Sequence, residues 1–547
     1  MYLSLEFKDW DYKTGILGIQ LLDNAPVDGE IEWIIKKFKV SHGIGCFLEL
    51  ENKQDVNQKA IVITHYKESH LATFKELLAH GALNKYDKEV DVAYDTSKKL
   101  KCKMEVNDEV KARETMDLNN ELKLSFLCLD NTVLSFPITN ADLKRCYELL
   151  TLTSRSFAMV IKQLHPSLKD VIMIFYLVLR ALDTVEDDMS IDSKIKIPLL
   201  RSFHEKLDLK DWTFTGNADT EKDKCVLLEF DKILNVYHTF DDAYKRIIKD
   251  ITNKMGNGMA DYILDENFNL NGVETIKDYD LYCHYVAGLV GEGLTEILVQ
   301  AGFASKTLLT DANDKRLMES MGLFLQKVNI TRDYYEDLLD KRSFWPREIY
   351  SKHCENLKDL SLVENEQNGI WCINDMVLNS LSHVTDVLNY LSFVEEQSSY
   401  QFCCIPQVMA IATMALIFNN KDILTKDNIK IRKGETCYLI LKSRTFKGTL
   451  EIFDYYLKQI KAKLQVEDPN YLKLNIQIAK IQQYMEMMTQ KNLPEGKEPK
   501  KTDVYVRTAR KLVHNDKIMK NAIDIENMIF YGVAVAMLST FVIFMKL

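Results

Sequence analysis

Proline and glycine are scarce in this sequence, with nine prolines and 20 glycines among 547 residues. Because both residues interrupt helices, their scarcity favours a mostly helical protein with short loops. A Cys-x-x-Cys motif is also absent, and the 11 cysteines are scattered except for the adjacent Cys403 and Cys404. An odd number of cysteines without a pattern is typical of reduced thiols in a cytosolic compartment.

The sequence also lacks an excess of positive charge and a glycine-rich phosphate loop. The net charge of −10 argues against a nucleic-acid surface as the main function. No G-x-G-x-x-G follows a strand, and the glycines of residues 288–293 stand in the wrong order within an apolar helical segment. That segment therefore indicates helix packing. At 46% hydrophobic and 27% charged residues, the chain is globular and long enough for more than one domain.

An N-terminal signal peptide is not expected, because residues 1–20 include five charged residues and no apolar core segment of the right kind. The other end of the chain differs, since Met528–Met545 is uncharged. As a helix this run is about 27 Å long, close to the bilayer core of about 30 Å. Basic residues before it favour the cytoplasmic side: Arg510, Lys511, Lys517 and Lys520. We expect a single-pass tail anchor at 527–546, with a buried C-terminal helix as the alternative.

The pattern of apolar residues divides the chain into parts. Residues 1–138 carry short alternating runs and one helix-like stretch, Ser69–His80, which predicts a small α/β or α+β extension. The strand-like runs are Gly15–Leu22, Cys46–Leu50, Ala60–Thr64 and Leu122–Leu129. Residues 139–491 have long apolar-periodic segments and predict an all-α domain. Its clearest predicted helices are 169–183, 319–337 and 373–394. A polar linker at 492–526 would join this domain to the anchor.

Two acidic clusters carry the strongest chemical signal, at residues 183–188 and 333–337. Each places two aspartates four residues apart, on one face of a helix, where like charges repel by a few tenths of a kcal/mol. Mg²⁺ would offset this repulsion, because it favours carboxylates together with phosphate oxygens of a substrate. A single such pair is more often a solvated face, but both clusters follow apolar segments, and Arg180 and Arg332 lie nearby. Two such helices facing each other would cradle a diphosphate.

Several segments match one family in order and spacing. They are TSRSF at 153–157, YLVLRALDTVEDD at 176–188, YCHYVAGLVG at 282–291, GLFLQKVNITRD at 322–333, RSFWP at 342–346, FCCIPQVMA at 402–410 and KIRKG at 430–434. Over roughly 140–490 the chain resembles the squalene synthases, most closely the fungal members. The resemblance implies an all-α isoprenoid-synthase fold that condenses two farnesyl diphosphates to presqualene diphosphate. It also implies an NADPH-dependent reduction of that product to squalene, the first committed step of sterol biosynthesis.

The resemblance implies roles for individual residues. The Mg²⁺ ligands would be Asp183, Glu186, Asp187, Asp333 and Asp337. Tyr285 and Tyr176 would act with these aspartates in catalysis, near the carbocation. A tyrosine with a pKa of about 10 is a poor base, and the released diphosphate is an equal candidate for the proton. The substrate-binding residues would be Ser154, Arg155, Ser156, Phe157, Arg180, Gln326, Asn329, Arg332 and Phe402. NADPH would be bound by Lys430, Arg432 and Arg342.

Two departures from the family pattern are visible. Val328 and Thr331 replace a threonine and an isoleucine, for which we expect tuning without loss of function. Residues 1–138 differ from the short family N-terminus, and they are either a fused domain or a merged neighbouring reading frame. The implied setting is the endoplasmic reticulum membrane, with a monomeric catalytic domain facing the cytosol and no nucleic-acid partner.

Two other functions are compatible with parts of this pattern. A phytoene-synthase-like enzyme would share the acidic helices but stop short of reduction, and the segment around Lys430 and the tail anchor argue against it. A non-catalytic membrane scaffold would have no reason to keep repelling carboxylates.

Overall fold

The computed structural model describes residues 140–263, 272–340, 342–490 and 498–513, together with the backbone of six strands nearer the N-terminus. The side chains of Arg155, Ser156 and Met159 are outside this description. The chain forms two compact units, Met1–Leu122 and Lys123–Leu547.

The described elements of the N-terminal unit are strands. They are β1 (Leu3–Glu6), β2 (Ile16–Leu22), β3 (Trp33–Ser41), β4 (Gly45–Asn52), β5 (Lys59–Thr64) and β6 (Lys101–Met104). Strands β2, β5, β4 and β3 form an antiparallel sheet in that order, and β1 pairs with β6. Three strands, β2, β4 and β5, lie where alternating runs predict them. The helix expected at Ser69–His80 and the strand expected at Leu122–Leu129 lie outside the described residues.

The second unit is helical in all its named elements, as the sequence predicts. Its first helices are α1 (Ala141–Thr153), α2 (Arg155–Lys162), α3 (Lys169–Asp187), α4 (Ser193–Lys206), α5 (Cys225–Leu228), α6 (Phe230–Tyr237), α7 (Asp242–Ile263) and α8 (Ile276–Cys283). A π-helical turn, His284–Gly288, leads into α9 (Leu289–Gln300), α10 (Thr307–Thr310), α11 (Ala312–Arg332), α12 (Tyr334–Leu339) and α13 (Arg347–Tyr350). The remaining helices are α14 (Glu366–Leu381), α15 (Val384–Phe393), α16 (Gln397–Ile417), α17 (Lys433–Lys442), α18 (Phe446–Lys463) and α19 (Tyr471–Thr489).

Helices α3 and α11 lie in the core; the first acidic cluster lies at the end of α3, and the second begins directly after α11. Helix α3 is apolar almost all round, and its residues between Val171 and Leu182 are largely buried. Such a helix needs neighbours on every side to bury it. Helix α11 packs against α9, α14, α15 and α16. The core therefore fixes where both clusters begin.

Two predicted helices are broken in the structure. The helix expected at 319–337 ends at Arg332 and restarts at Tyr334, with Asp333 between them at φ −89° and ψ 13°. The Asp337 amide still donates to the Asp333 carbonyl at 2.9 Å, which keeps these aspartates one turn apart. The segment expected at 373–394 divides into α14 and α15. The third expectation, a helix over 169–183, is confirmed by α3.

Glycines allow two helical segments to cross closely. A Cβ on Gly322 of α11 would collide with the carbonyl oxygen of Ala287, and one on Gly291 would collide with that of Met318. A Cβ on Gly288 would meet the carboxylate of Glu319. The prediction that the glycines of 288–293 serve helix packing is therefore confirmed.

Residues 503–513, within the predicted linker, form a docked helix. The Arg507 guanidinium lies 3.6 Å from the ring centroid of Phe393 and donates to Asn389 Oδ1 at 2.9 Å. The Lys511 ammonium lies 4.0 Å from the ring centroid of Tyr400. These contacts hold this part of the linker against α15 and α16.

The predicted anchor at 527–546 lies outside the described residues. In the part of the chain that is described, α16 alone has the length and apolarity of a membrane span. Because 72% of its most apolar window is buried, α16 has the character of a core helix.

Candidate active site

The first acidic cluster lies where α3 leaves the core. Asp183 is half-buried, and burial raises its pKa to about 7; Arg180 opposes this rise, while Asp187 and Asp223 add to it. Burial likewise raises the pKa of Glu186. A carboxyl whose pKa is raised towards 7 beside other carboxylates is typical of a functional site.

Asp188 ends the same run but has a different environment. Its Oδ1 accepts from the Ser190 amide at 2.9 Å, and its Oδ2 accepts from the Ala218 amide at 2.9 Å and Asn217 Nδ2 at 3.0 Å. Burial opposes ionisation, but these hydrogen bonds outweigh it and lower the pKa of Asp188 to about 2. Asp188 therefore stabilises the loop after α3.

The second acidic cluster spans the break between α11 and α12. Arg332 donates from Nε to Asp333 Oδ1 at 2.7 Å and from Nη2 to Oδ2 at 2.5 Å. Burial raises the pKa of Asp337 to about 7, against the attraction of Arg342 and with the help of Asp333. This cluster thus combines Asp333, which is paired with arginine, and Asp337, whose pKa is raised to about 7.

Arg342 lies between the two clusters. Its Nη1 donates to Asp187 Oδ1 at 2.8 Å, and its Nη2 lies 3.8 Å from Asp337 Oδ1. The ends of α3 and α12 therefore face each other across one guanidinium. The sequence predicts that the two acidic helices face each other in this way. The resemblance groups Arg342 with the NADPH residues, but its contacts here are with carboxylates.

The carboxylates are suitable for Mg²⁺ in type and in position. All are hard oxygen donors, and the ends of two helices supply them from opposite sides. Within the described ranges, no three His, Cys, Asp or Glu side chains are gathered into a metal-ready group.

An aromatic wall lies beside the first cluster. The ring of Phe157 on α2 lies 5.8 Å from that of Tyr176 on α3 and 6.4 Å from that of Phe402 on α16. Arg180 lies 5.7 Å from the ring centroid of Tyr176. Ser154 caps α2, its Oγ accepting from the Phe157 amide at 3.3 Å. The predicted residues Phe157, Tyr176 and Phe402 are thus brought together.

Other predicted site residues occupy three places. Arg155 and Ser156 begin α2, with side chains outside the description. On α11, Gln326 is half-buried and Asn329 is exposed, both N-terminal to Asp333. Lys430 and Arg432 are exposed on the loop before α17. Asn428, at φ 58°, ties this loop to the second cluster, because its amide donates to Glu336 Oε1 at 2.8 Å.

Tyr285 belongs to the π-helical turn. Its ring lies 5.2 Å from that of His284 and 6.2 Å from that of Tyr262. A Cβ on Gly258 of α7 would collide with the Tyr285 ring. π-Helical turns occur frequently at functional sites. The π-helical turn and Gly258 of α7 together fix the position of Tyr285.

Sequence reasoning missed two polar residues near the first cluster. Asp223 lies 3.8 Å from Arg180 and contributes to the raised pKa of Asp183. Lys196, 4% exposed, donates to the carbonyl of Glu186 at 2.7 Å at the end of α3. Neither stands in a motif, so no local signal could have identified them.

In this all-helical domain, two core helices bring aspartate clusters face to face beside an aromatic wall. This arrangement is typical of one class of proteins, the helical isoprenoid synthases. A sequence model of the squalene/phytoene synthase family matches residues 150–435. The squalene synthase ERG9 of Saccharomyces cerevisiae is 56% identical over 408 residues, covering 75% of this chain and 91% of that protein. ERG9 of Candida albicans is 60% identical over 372 residues, covering 66% of this chain and 82% of that protein.

A solved structure agrees with these relatives. The complex of TcSQS with the ligand E5700 aligns with a TM-score of 0.60 at 40% identity, covering 63% of this chain and 98% of that one. The chain belongs to the squalene/phytoene synthase family.

Proposed function

We propose that this protein is a squalene synthase that joins two farnesyl diphosphates head to head and reduces the product to squalene. One observation carries the proposal: α3 and α12 bring two aspartate clusters within reach of one guanidinium, in a chain 56% identical to a fungal squalene synthase. Facing carboxylates of this kind suit a substrate that arrives with phosphate oxygens and a divalent cation.

In the first half-reaction, one farnesyl diphosphate loses its diphosphate, and the breaking C–O bond leaves its electron pair on the leaving group. Bound Mg²⁺ would supply Lewis-acid neutralisation of that group, held by Asp183, Glu186, Asp187, Asp333 and Asp337. Arg180 interacts with Asp183, and Arg332 pairs with Asp333, so both add fixed positive charge for phosphate oxygens. The double bond of the second substrate then attacks the allylic cation, and loss of a proton gives presqualene diphosphate.

The aromatic wall suits the hydrocarbon part of the substrates. Phe157, Tyr176 and Phe402 offer apolar ring faces that can pack along a prenyl chain, and ring faces also attract cations. Gly258 and the π-helical turn hold Tyr285 in one place. We assign Tyr285 to cation stabilisation or proton transfer, with the diphosphate as an equal proton acceptor.

In the second half-reaction, presqualene diphosphate loses its diphosphate, rearranges and is reduced. NADPH would supply two electrons and a hydrogen to carbon and leave as NADP⁺. Lys430 and Arg432 are exposed cations on a loop tied to Glu336, which suits the phosphates of this cofactor. We further propose that residues 527–546 anchor the protein in the endoplasmic reticulum membrane and that the domain at 139–491 is monomeric and faces the cytosol. Residues 1–138 are given no role in this function.

A product assay tests this function. Protein without its last 30 or so residues, which keeps every described helix, is incubated with farnesyl diphosphate and Mg²⁺, with and without NADPH. We expect squalene with NADPH and presqualene diphosphate without it. A thirty-carbon product that ignores NADPH would instead favour a phytoene-synthase-like enzyme, and no turnover by folded protein would favour a scaffold.

A further inference from the structure

Arg342 makes contacts that differ from those of the other arginines at the site. It reaches Asp187 on α3 and Asp337 on α12, two carboxylates from separate elements. Its backbone amide also donates to the Asp337 carbonyl at 2.8 Å, which holds residue 342 beside the second cluster. Arg332, in contrast, pairs only with its neighbour Asp333 in the described contacts. Within the described part of the chain, Arg342 is therefore the cation that contacts carboxylates of both clusters.

We propose that Arg342 is a resident counter-ion of the two clusters, which excludes a divalent cation until a diphosphate draws the guanidinium away. The proposal rests on the proposed function for the identity of the diphosphate. Metal binding and diphosphate binding are then linked events, and neither cluster is left without a cation at any stage.

The charge of Arg342 makes this linkage necessary. A guanidinium does not lose its proton in proteins, so it cannot yield its place by becoming neutral. A divalent cation entering between Asp187 and Asp337 would meet a positive charge a few ångströms away, where repulsion near a protein surface is strong. Mg²⁺ alone therefore has to compete with a cation that the chain itself supplies.

A diphosphate removes this obstacle because it is a partner for both cations. Its oxygens match the fork of a guanidinium, and they also complete the ligand set of Mg²⁺. Arg342 Nε is buried without a hydrogen-bond partner among the described residues, so its present position leaves one donor unused. The Arg342 guanidinium also lies 5.4 Å from the ring centroid of Phe344, a second surface that attracts cations.

The linkage is reciprocal by thermodynamic necessity. If diphosphate strengthens metal binding by some factor, the metal strengthens diphosphate binding by the same factor. Because Arg342 competes with the metal, removing its positive charge should tighten metal binding in the absence of diphosphate. It should also reduce the additional tightening that diphosphate brings.

The test titrates the full chain with Mn²⁺, a paramagnetic probe, followed by electron paramagnetic resonance with and without inorganic diphosphate. We expect Arg342→Gln to bind Mn²⁺ without diphosphate at least about tenfold more tightly than wild type. Arg342→Lys, which keeps the charge, should stay near wild type. Arg201→Gln is the matched control, because Arg201 pairs with Asp261, outside the two clusters, and its loss changes the net charge equally.

Three results would overturn the inference. Arg342→Gln could bind Mn²⁺ no more tightly than wild type, or no more tightly than Arg201→Gln. Wild type could bind Mn²⁺ with micromolar affinity in the absence of diphosphate, a result that needs no folded variant. Unchanged Mn²⁺ binding with a raised KM for NADPH would assign Arg342 to the cofactor. Squalene formation by wild type, assayed in the same preparation, tests the proposed function separately, since Mn²⁺ binding does not depend on turnover.

Discussion

Aspartates of the two acidic clusters have pKa values that are shifted in opposite directions. Asp183 and Asp337 have pKa values raised to about 7, because burial disfavours their charged form. Asp188 lies one residue beyond the first cluster's second aspartate, and its hydrogen bonds lower its pKa to about 2. The sequence pattern predicts acidic clusters, but only the surrounding hydrogen bonds separate Asp188 from the two aspartates whose pKa is raised.

The raised pKa of Asp337 predicts a gain in stability when this carboxyl is removed. Its pKa is about 7 in the folded protein against an ordinary 3.8, so the folded state binds this proton more tightly than the unfolded state. The carboxyl therefore destabilises the metal-free protein increasingly as pH rises from about 4 to about 7, and fully above that. We expect Asp337→Asn in EDTA to raise Tm at about pH 8 more than at about pH 5.

Calorimetry at both pH values measures this effect. The same variant should lose squalene formation, because Asp337 is a proposed metal ligand. A lower Tm for Asp337→Asn at the higher pH would contradict the prediction. It would mean that the attraction between Asp337 and Arg342, 3.8 Å apart, outweighs the cost of burial.

Lys430 should affect one half-reaction and spare the other. Its ammonium contacts Asn428 Oδ1 at 3.3 Å, and no described contact joins the Lys430 side chain directly to a carboxylate of the acidic clusters. We expect Lys430→Ala to keep presqualene diphosphate formation and to lower squalene, with a raised KM for NADPH. Lys426→Ala is the matched control, since Lys426 is in the same loop but pairs with Asp422 at 2.9 Å. Equal loss of both products would refute the assignment of Lys430.

At the scale of elements, the sequence predicts helices well and their interruptions poorly. Helix α3 is predictable because its apolar run is unbroken. The break at Asp333 accompanies a pairing with Arg332 that periodicity does not encode. The division between α14 and α15 falls at His383, whose Nε2 lies 2.9 Å from the buried Lys327 ammonium of α11. The first break thus accompanies a pairing of adjacent side chains and the second a tertiary contact, and the π-helical turn around Tyr285 likewise has no local sequence signal.

The close crossing of α11 with the π-helical turn predicts a large effect of one methyl group. A Cβ on Gly322 would collide with the carbonyl oxygen of Ala287, which is backbone and cannot rotate away. We expect Gly322→Ala to lower the free energy of unfolding by about 1–3 kcal/mol. Because this turn carries Tyr285, squalene formation should fall as well. Lys315→Ala, at an exposed position of α11, should change stability by no more than about 0.5 kcal/mol in the same urea titrations. An equally stable Gly322→Ala would show that the two helices can separate freely.

At the scale of the whole molecule, the sequence predicts which residue types form the site but not how they face each other. The acidic clusters are 150 residues apart in sequence, and their approach across Arg342 depends on the packing of α3 and α11 in one core. Asp223 and Lys196 reach the first cluster in the same way, from elements without a motif. Family resemblance supplies this long-range information, whereas periodicity and composition supply only local structure.

The two compact units predict that the catalytic unit functions without the N-terminal one. The family match begins at residue 150, and a solved relative is 98% covered by only 63% of this chain. Since the second unit has its own core, a chain starting at residue 139 should fold alone and form squalene within about twofold of the full chain. Calorimetry and the product assay, run on both chains, measure this. Failure of the shortened chain to fold would show that residues 1–138 complete the core. Faster turnover after their removal would instead make them an inhibitory unit, and either result would give the N-terminal strands a role that the family resemblance does not supply.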